Sequence, residues 1–248
     1  MAETKEVAEK RARERGIELE PKIGETITGY LNRPAGEGPF PAIILMHGCS
    51  GMGRWSGIWS RRLVEWGYVV LDMDSFGPRG IDKGVCFRTD HIAGPFSRAL
   101  DAHGAKAFLA TLPFVAPERI GVVGMSHGGM SVLQAINRST TTRIDGEPFR
   151  AAVALYPSCD PNTQPNAPIL ILIGELDNWT DPKSCERYLA KLGRDHDVTL
   201  KIYPGAYHAF DIAGADWLVR GYYVVRYDRE AAEDAIKRVR AFLGKYLA

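Results

Sequence analysis

The sequence predicts an α/β fold, with a mostly parallel central sheet flanked by helices on both faces. Three observations carry this reading. Apolar runs of strand length alternate with segments of helical spacing from about residue 25 to the C-terminus. One run, Ala42-Ile43-Ile44-Leu45-Met46, is apolar at every position, as a strand covered on both faces must be. No internal repeat, low-complexity tract or long linker interrupts the alternation. Strands alternating with helices of this length build βαβ units.

The elements follow in order. Residues 1–16 read as a charged peripheral helix or arm, stopped at Gly16, and residues 17–248 as one catalytic domain. Glu25 to Leu31 is expected as an edge strand and Ala42 to Met46 as a central one. Ile58 to Trp66 is helical, Tyr68 to Leu71 a strand, and Ser97 to Thr111 helical. Ile120 to Val123 is a strand and Gly128 to Asn137 a helix. Ala151 to Tyr156 and Ile169 to Ile173 are strands, Pro182 to Leu192 a helix, and Val198 to Tyr203 a strand. Asp228 caps a last helix, whose stripe Ala232, Ala235, Ile236, Val239, Phe242, Leu243 and Tyr246 has helical spacing. Asp211 to Tyr227 is expected to form a short flap. No large cap domain is foreseen. In such sheets ligands bind beyond the carboxyl ends of the strands, so the loops there are where chemistry is sought.

Composition removes several classes of function. Lys plus Arg number 31 and Asp plus Glu 30 in 248 residues, so there is no basic surplus of the kind that holds nucleic acid or anionic membrane. No apolar run reaches the length of a membrane span, and the N-terminus shows no apolar signal region. The four cysteines, Cys49, Cys86, Cys159 and Cys185, lack CxxC spacing and are read as buried free thiols of a cytoplasmic enzyme. The alternative is an exported mature form carrying disulfides.

The strongest chemical signal is Gly124-Met125-Ser126-His127-Gly128-Gly129. It follows a strand and opens a helix, the setting in which G-x-S-x-G presents a serine above the sheet. Glycine at 124 and 128 removes Cβ atoms from a crowded turn. A serine needs a base, and the base an orienting acid. In this architecture they follow as serine, acid, histidine. Asp177 lies past the strand 169–173 and His208 past the strand 198–203, so Ser126, Asp177 and His208 are the expected catalytic residues. Glu175 is the competing acid. His127 is expected to point away from the serine, His47 to shape its own loop, and His91, His103 and His196 to be surface or structural.

The loop His47-Gly48-Cys49-Ser50-Gly51 follows the central strand. The backbone N–H groups of Cys49 and His127 are the expected oxyanion donors. Trp55, Trp59, Phe76, Trp179, Tyr207 and Phe210 gather on these loops, and Trp55, Trp179, Tyr207 and Phe210 are the expected walls of a substrate pocket. Arg79 also follows a strand, a place that suits equally a grip on a substrate carboxylate and a surface ion pair.

Together these segments, with Asp74-Ser75-Phe76-Gly77-Pro78-Arg79-Gly80, Gly174-Glu175-Leu176-Asp177 and Tyr203-Pro204-Gly205-Ala206-Tyr207-His208-Ala209-Phe210, resemble the dienelactone hydrolase family of α/β-hydrolases from about Ile27 onward. The resemblance implies a compact hydrolase that needs no cofactor or metal. Its best-known members carry a cysteine nucleophile where this chain has Ser126. They place an acidic residue where Gly48 stands, and an arginine where Ile212 stands. That pattern points to the serine-nucleophile, esterase branch. A Cys159–Cys185 disulfide is a further possibility.

The expected function is hydrolysis of small, short-acyl esters or lactones through an acyl-enzyme at Ser126. The partner is then a small-molecule substrate, with neither nucleic acid nor membrane, and the protein a monomer or small homo-oligomer. An acyl-peptidase or dipeptidase using the same triad is the rival enzyme reading. A binding protein on the same fold is the non-enzymatic one.

Overall fold

The computed structural model describes residues 26–87, 93–193 and 195–248. The expected N-terminal helix and His91 lie outside these residues. Seven strands form one sheet: β1 (Thr28–Asn32), β2 (Phe40–Met46), β3 (Val69–Asp74), β4 (Val115–Met125), β5 (Ala152–Leu155), β6 (Ile169–Gly174) and β7 (Val198–Tyr203). Their spatial order is β1-β3-β2-β4-β5-β6-β7. Every pairing is parallel except β1 with β3, which is antiparallel.

Ala42, Ile43, Ile44, Leu45 and Met46 of β2 are all fully buried, because the strand has a neighbour on each edge and helices on each face. The chain runs from β2 outward to β3 on one side and to β4 on the other. The crevice at such a reversal of strand order is where ligands enter, and the loop after β2 borders it.

Six helices accompany the sheet among the described residues: α1 (Arg54–Glu65), α2 (Pro95–Ala110), α3 (His127–Ala135), α4 (Arg138–Arg143), α5 (Pro182–Leu192) and α6 (Arg229–Leu247). Strand side chains alternate between faces. A Cβ at Gly121 would meet Leu247 of α6, whereas one at Gly124 would meet Val132 of α3. Those positions have opposite parity on β4, so α6 and α3 cover opposite faces. Asp228 does cap α6, its carboxylate accepting from the Ala231 N–H at 2.9 Å. Asp181 caps α5 in the same manner through Lys183, with Pro182 at the first helical position.

The segment expected as a flap is a hairpin of β8 (Asp216–Val219) and β9 (Tyr223–Arg226). The short α4, within Arg138–Arg143, is an element the sequence reading did not foresee. The free-thiol expectation is overturned: Cys49 is bonded to Cys86 and Cys159 to Cys185. Loop folding brings each pair to a Cα separation below 5 Å, 4.7 and 4.8 Å respectively, and that proximity is invisible in the spacing of the residues.

Candidate active site

Ser126 sits between the end of β4 and the start of α3, with φ of 54°. A non-glycine residue in that region is strained and is held there by its surroundings. The Ser126 N–H donates to the Leu155 carbonyl at 2.8 Å. A Cβ at Gly124 would overlap the Gly128 carbonyl, and one at Gly128 the Met46 carbonyl. The two glycines thus allow β4, α3 and β2 to close on one another, and the serine is lifted above the sheet.

Asp177 lies on the loop after β6 and is buried. Its Oδ1 accepts from the N–H groups of Trp179 and Thr180, each at 2.9 Å, and its Oδ2 accepts from the Thr180 hydroxyl at 2.8 Å. The carboxylate is therefore oriented before it meets anything else. His208, past β7, places Nδ1 2.7 Å from Asp177 Oδ2 and Nε2 3.0 Å from Ser126 Oγ. Because the carboxylate only accepts, Nδ1 carries the proton and Nε2 is left to accept from the serine. Tyr156 stands edge-on to the imidazole, with ring centres 4.8 Å apart, and Trp179 lies at 5.0 Å. The competing acid, Glu175, is exposed and accepts from the Gly205 N–H at 3.0 Å. It joins the two loops without touching the histidine.

The loop after β2 passes directly beside the serine: a Cβ on Gly48 would lie 3.8 Å from that of Ser126. Neither the Cys49 nor the His127 N–H donates to another group among the described residues. The first N–H of a helix has no carbonyl to reach within the helix, so His127 offers its own beside the serine. The His127 side chain turns away and accepts from Arg98 Nη1 at 2.8 Å. His47 Nε2 accepts from the Ser75 N–H at 3.3 Å, so its Nδ1 carries the proton and donates to the Gly48 carbonyl at 2.8 Å. Burial, seconded by the Arg98 charge, lowers both His47 and His127 to about 3. Both rings are accordingly neutral at ordinary pH. His103 is bound to the Ala135 carbonyl and has no part in the site.

A cavity of about 520 Å³ opens over these groups. Its floor carries Ser126 and His208. Its walls include the loop from His47 to Gly53 and the first turn of α1 to Ser56, Cys86, Tyr156 and Ile212, with Trp217, Val219 and Val225 from the hairpin. Of the expected wall residues, Trp55 and Trp179 line it. Tyr207 and Phe210 do not. Phe210 is buried under the sheet end against Tyr156 and Tyr203, and Arg226 lies over the Tyr207 ring. Trp59 donates from its indole to Asp211 at 2.6 Å, and Phe76 packs on His47. Arg79 is also outside the cavity. It grips Asp101 through two bonds of 2.7 and 2.8 Å and donates to the Ser75 carbonyl, so an ion pair is realised, but a nearly buried one and not the surface pair expected. Thr180, Cys86 and the three hairpin residues were missed by the sequence reading. Only the place of Thr180, three residues past the acid, was a usable signal. Among the described residues no cluster of three or more His, Cys, Asp or Glu has metal-holding geometry, and no helix is long and apolar enough to cross a membrane.

The sheet order, the strained serine turn and the loops around it define an α/β-hydrolase. The sequence model of the dienelactone hydrolase family matches residues 27–247, and the chain belongs to that family; it is a hydrolase of the lactone or ester kind. A Synechocystis sp. protein assigned as a carboxymethylenebutenolidase is 24% identical over 86% of this chain and 89% of its own. A Bradyrhizobium sp. protein assigned as a 2-oxo-3-(5-oxofuran-2-ylidene)propanoate lactonase is 26% identical over 75% and 80%. A crystal structure from Klebsiella pneumoniae, assigned as a dienelactone hydrolase, superposes with a TM-score of 0.70 at 21% identity, covering 91% of this chain and 96% of that one.

Proposed function

We propose that the protein is a serine hydrolase of small carboxylic esters or lactones, working through an acyl-enzyme. The observation that carries this is the chain of bonds from Ser126 Oγ to His208 Nε2 at 3.0 Å and from His208 Nδ1 to Asp177 at 2.7 Å. Ser126 Oγ attacks the carbonyl carbon while its proton passes to His208 Nε2. The C=O electrons move onto the oxygen, which the N–H groups of Cys49 and His127 hold. Collapse of this adduct breaks the bond to the leaving oxygen, and His208 returns its proton there. Water then repeats the sequence: His208 takes its proton, hydroxide adds to the acyl carbon, and Ser126 leaves with the proton, freeing the acid. Asp177 stays ionised, orients the imidazole and balances its transient charge.

The cavity supports a small substrate. Its walls are mainly apolar and aromatic, with Trp55, Trp179 and Trp217 among them, and among the described residues Arg54 is its lone lysine or arginine. A neutral ester or lactone suits such walls better than a dicarboxylate. The family relatives assigned as lactone hydrolases support the same class. The two disulfides support the exported alternative over the cytoplasmic one, since such bonds persist in oxidising compartments.

The test is turnover of p-nitrophenyl acetate and butyrate by wild type and Ser126→Ala, with fluorophosphonate labelling. Wild type is expected to turn over and to take one label per chain. The variant is expected to take none and to lose at least about 10³-fold in rate. An unlabelled wild type, or a variant of unchanged rate, overturns the reading.

A further inference from the structure

Arg98 on α2 is fully buried, yet no carboxylate touches it among the described residues. The nearby acids are engaged elsewhere. Asp101 is held by Arg79, and Asp74 Oδ1 accepts from the N–H groups of Phe76 and Gly77. Asp101 and Asp74 lend it charge support without touching it, and burying an arginine with no carboxylate in contact among the described residues is costly, so its other contacts must justify the position. Its Nη1 donates to His127 Nδ1 at 2.8 Å and its Nη2 to the His47 carbonyl at 2.8 Å. The guanidinium also lies over the Phe76 ring, 5.0 Å from its centre, and Phe76 stands edge-on to His47. One side chain thus joins the residue after the nucleophile to the residue that starts the loop after β2.

Those two places carry the proposed oxyanion donors. The peptide that presents the Cys49 N–H has Gly48 O as its carbonyl, and His47 Nδ1–H donates to that oxygen. In a trans peptide the two groups point opposite ways, so anchoring the carbonyl aims the N–H. On the other side, the Ser126 carbonyl accepts from Met130 at 3.0 Å, which fixes the peptide presenting the His127 N–H. Arg98 holds the two peptides in register with each other, and it places a positive charge behind both.

We propose that Arg98 is a positioning residue that assembles the oxyanion hole, acting through His47 on one side and His127 on the other. This rests on the serine-hydrolase reading above. Arg98 does not touch substrate. Its effect falls on the transition state, where the oxygen carries charge, and leaves binding of the neutral ester nearly unchanged.

The experiment compares wild type with Arg98→Met, Arg98→Lys and His47→Phe. Each protein is titrated with fluorophosphonate so that rates refer to intact sites. The readouts are kcat and KM for p-nitrophenyl acetate and the inhibition constant of phenylboronic acid, which forms a tetrahedral adduct on the serine. Arg98→Met is expected to lose about 10- to 100-fold in kcat, within the range for weakening one oxyanion donor. KM is expected to move less than about threefold, and boronate affinity to fall in step with kcat. Arg98→Lys, which restores the charge but only part of the fork, recovers part of that loss. His47→Phe keeps a ring against Phe76, removes the donor to Gly48 and reproduces the kcat-selective loss even where Arg98→Met does not fold. Full kcat in titrated sites of any folded Arg98 variant overturns the proposal. So does a loss in His47→Phe that leaves boronate affinity untouched. A wild type without esterase activity or label fails the functional reading instead, which is a different result.

Discussion

Asn178 clasps the turn that ends at Tyr222: its Nδ2 donates to the Tyr222 carbonyl at 2.7 Å, while its Oδ1 accepts from the Val224 N–H at 2.9 Å. The residue next to Asp177 therefore holds the hairpin that closes the cavity. Two such bonds contribute about 2 kcal/mol. Asn178→Ala is expected to leave kcat within about threefold and to raise KM for the butyrate ester about 3- to 10-fold, because Trp217, Val219 and Val225 line the cavity from that hairpin. Steady-state kinetics on the acetate and butyrate pair check this. An unchanged KM separates the hairpin from substrate binding.

The Cys49–Cys86 bond ties a proposed oxyanion donor to the segment bearing Phe87, whose ring stacks on Trp179 with centres 5.8 Å apart. Val85 N–H also donates to the Cys49 carbonyl at 2.7 Å, so the loop keeps one anchor without the disulfide. Reduction is expected to lower kcat about 3- to 10-fold without unfolding the chain, a fraction of what losing a whole oxyanion donor costs. The check is activity against thiols released, with peptide mapping to show which bond has opened. Full activity with Cys49 and Cys86 both reduced refutes it.

The contrast between these two features shows what the chain discloses directly. The strands and the serine turn were legible because period and glycine placement are local: β2 reads as a covered strand from five consecutive apolar residues, and Ser126 from the glycines on either side. Asp177 and His208 were legible from chain order and from their places just past two strands. The cavity walls were not. Tyr207 and Phe210 flank the histidine in sequence, yet the turn at Ala209, with φ of 54°, sends Phe210 under the sheet end. Arg79 follows a strand as a ligand-holding residue would, but Asp101, one helix away, takes its guanidinium. Cys86 meets Cys49 at a sequence separation of 37, a closure that no local pattern encodes.

The Cys159–Cys185 bond fastens the chain beyond β5 to α5 at a sequence separation of 26. Closing a loop of that size in the unfolded chain is worth about 3 kcal/mol. The Cys159→Ala, Cys185→Ala double variant is expected to melt about 6–12 °C lower, with kcat at 25 °C within about twofold. Calorimetry checks it, and an unchanged melting temperature contradicts it.

Asp72 on β3 is buried beside Ser56 of α1, and burial raises its carboxyl to about 6. The Ser56 hydroxyl opposes that rise and the Asp74 charge adds to it. A raised acid binds its proton more tightly in the folded state. It therefore costs nothing below the unfolded value near 4, and progressively more as pH rises from there to about 6. The Asp72→Asn variant is expected to be more stable than wild type at pH 8, by up to about 3 kcal/mol, with the gain fading by pH 4. Urea midpoints at both pH values decide; a gain that does not depend on pH assigns the effect to packing instead.

His47 and His127 give the opposite slope. Burial first, and then the Arg98 charge, lowers both to about 3, so the folded protein refuses protons that the unfolded chain accepts near pH 6.5. Stability is intact above 6.5 and is lost as pH falls from there toward 3. Each imidazole contributes about 2 kcal/mol of that loss by pH 5. His127→Gln presents a side-chain oxygen to Arg98 and does not titrate, so it is expected to be less sensitive to acid than wild type. The measurement is the urea midpoint of both proteins from pH 7 to pH 5. A wild-type midpoint that stays level over that interval, or a variant that falls as steeply, means that the rings are charged in the folded state and that Arg98 does not donate to His127.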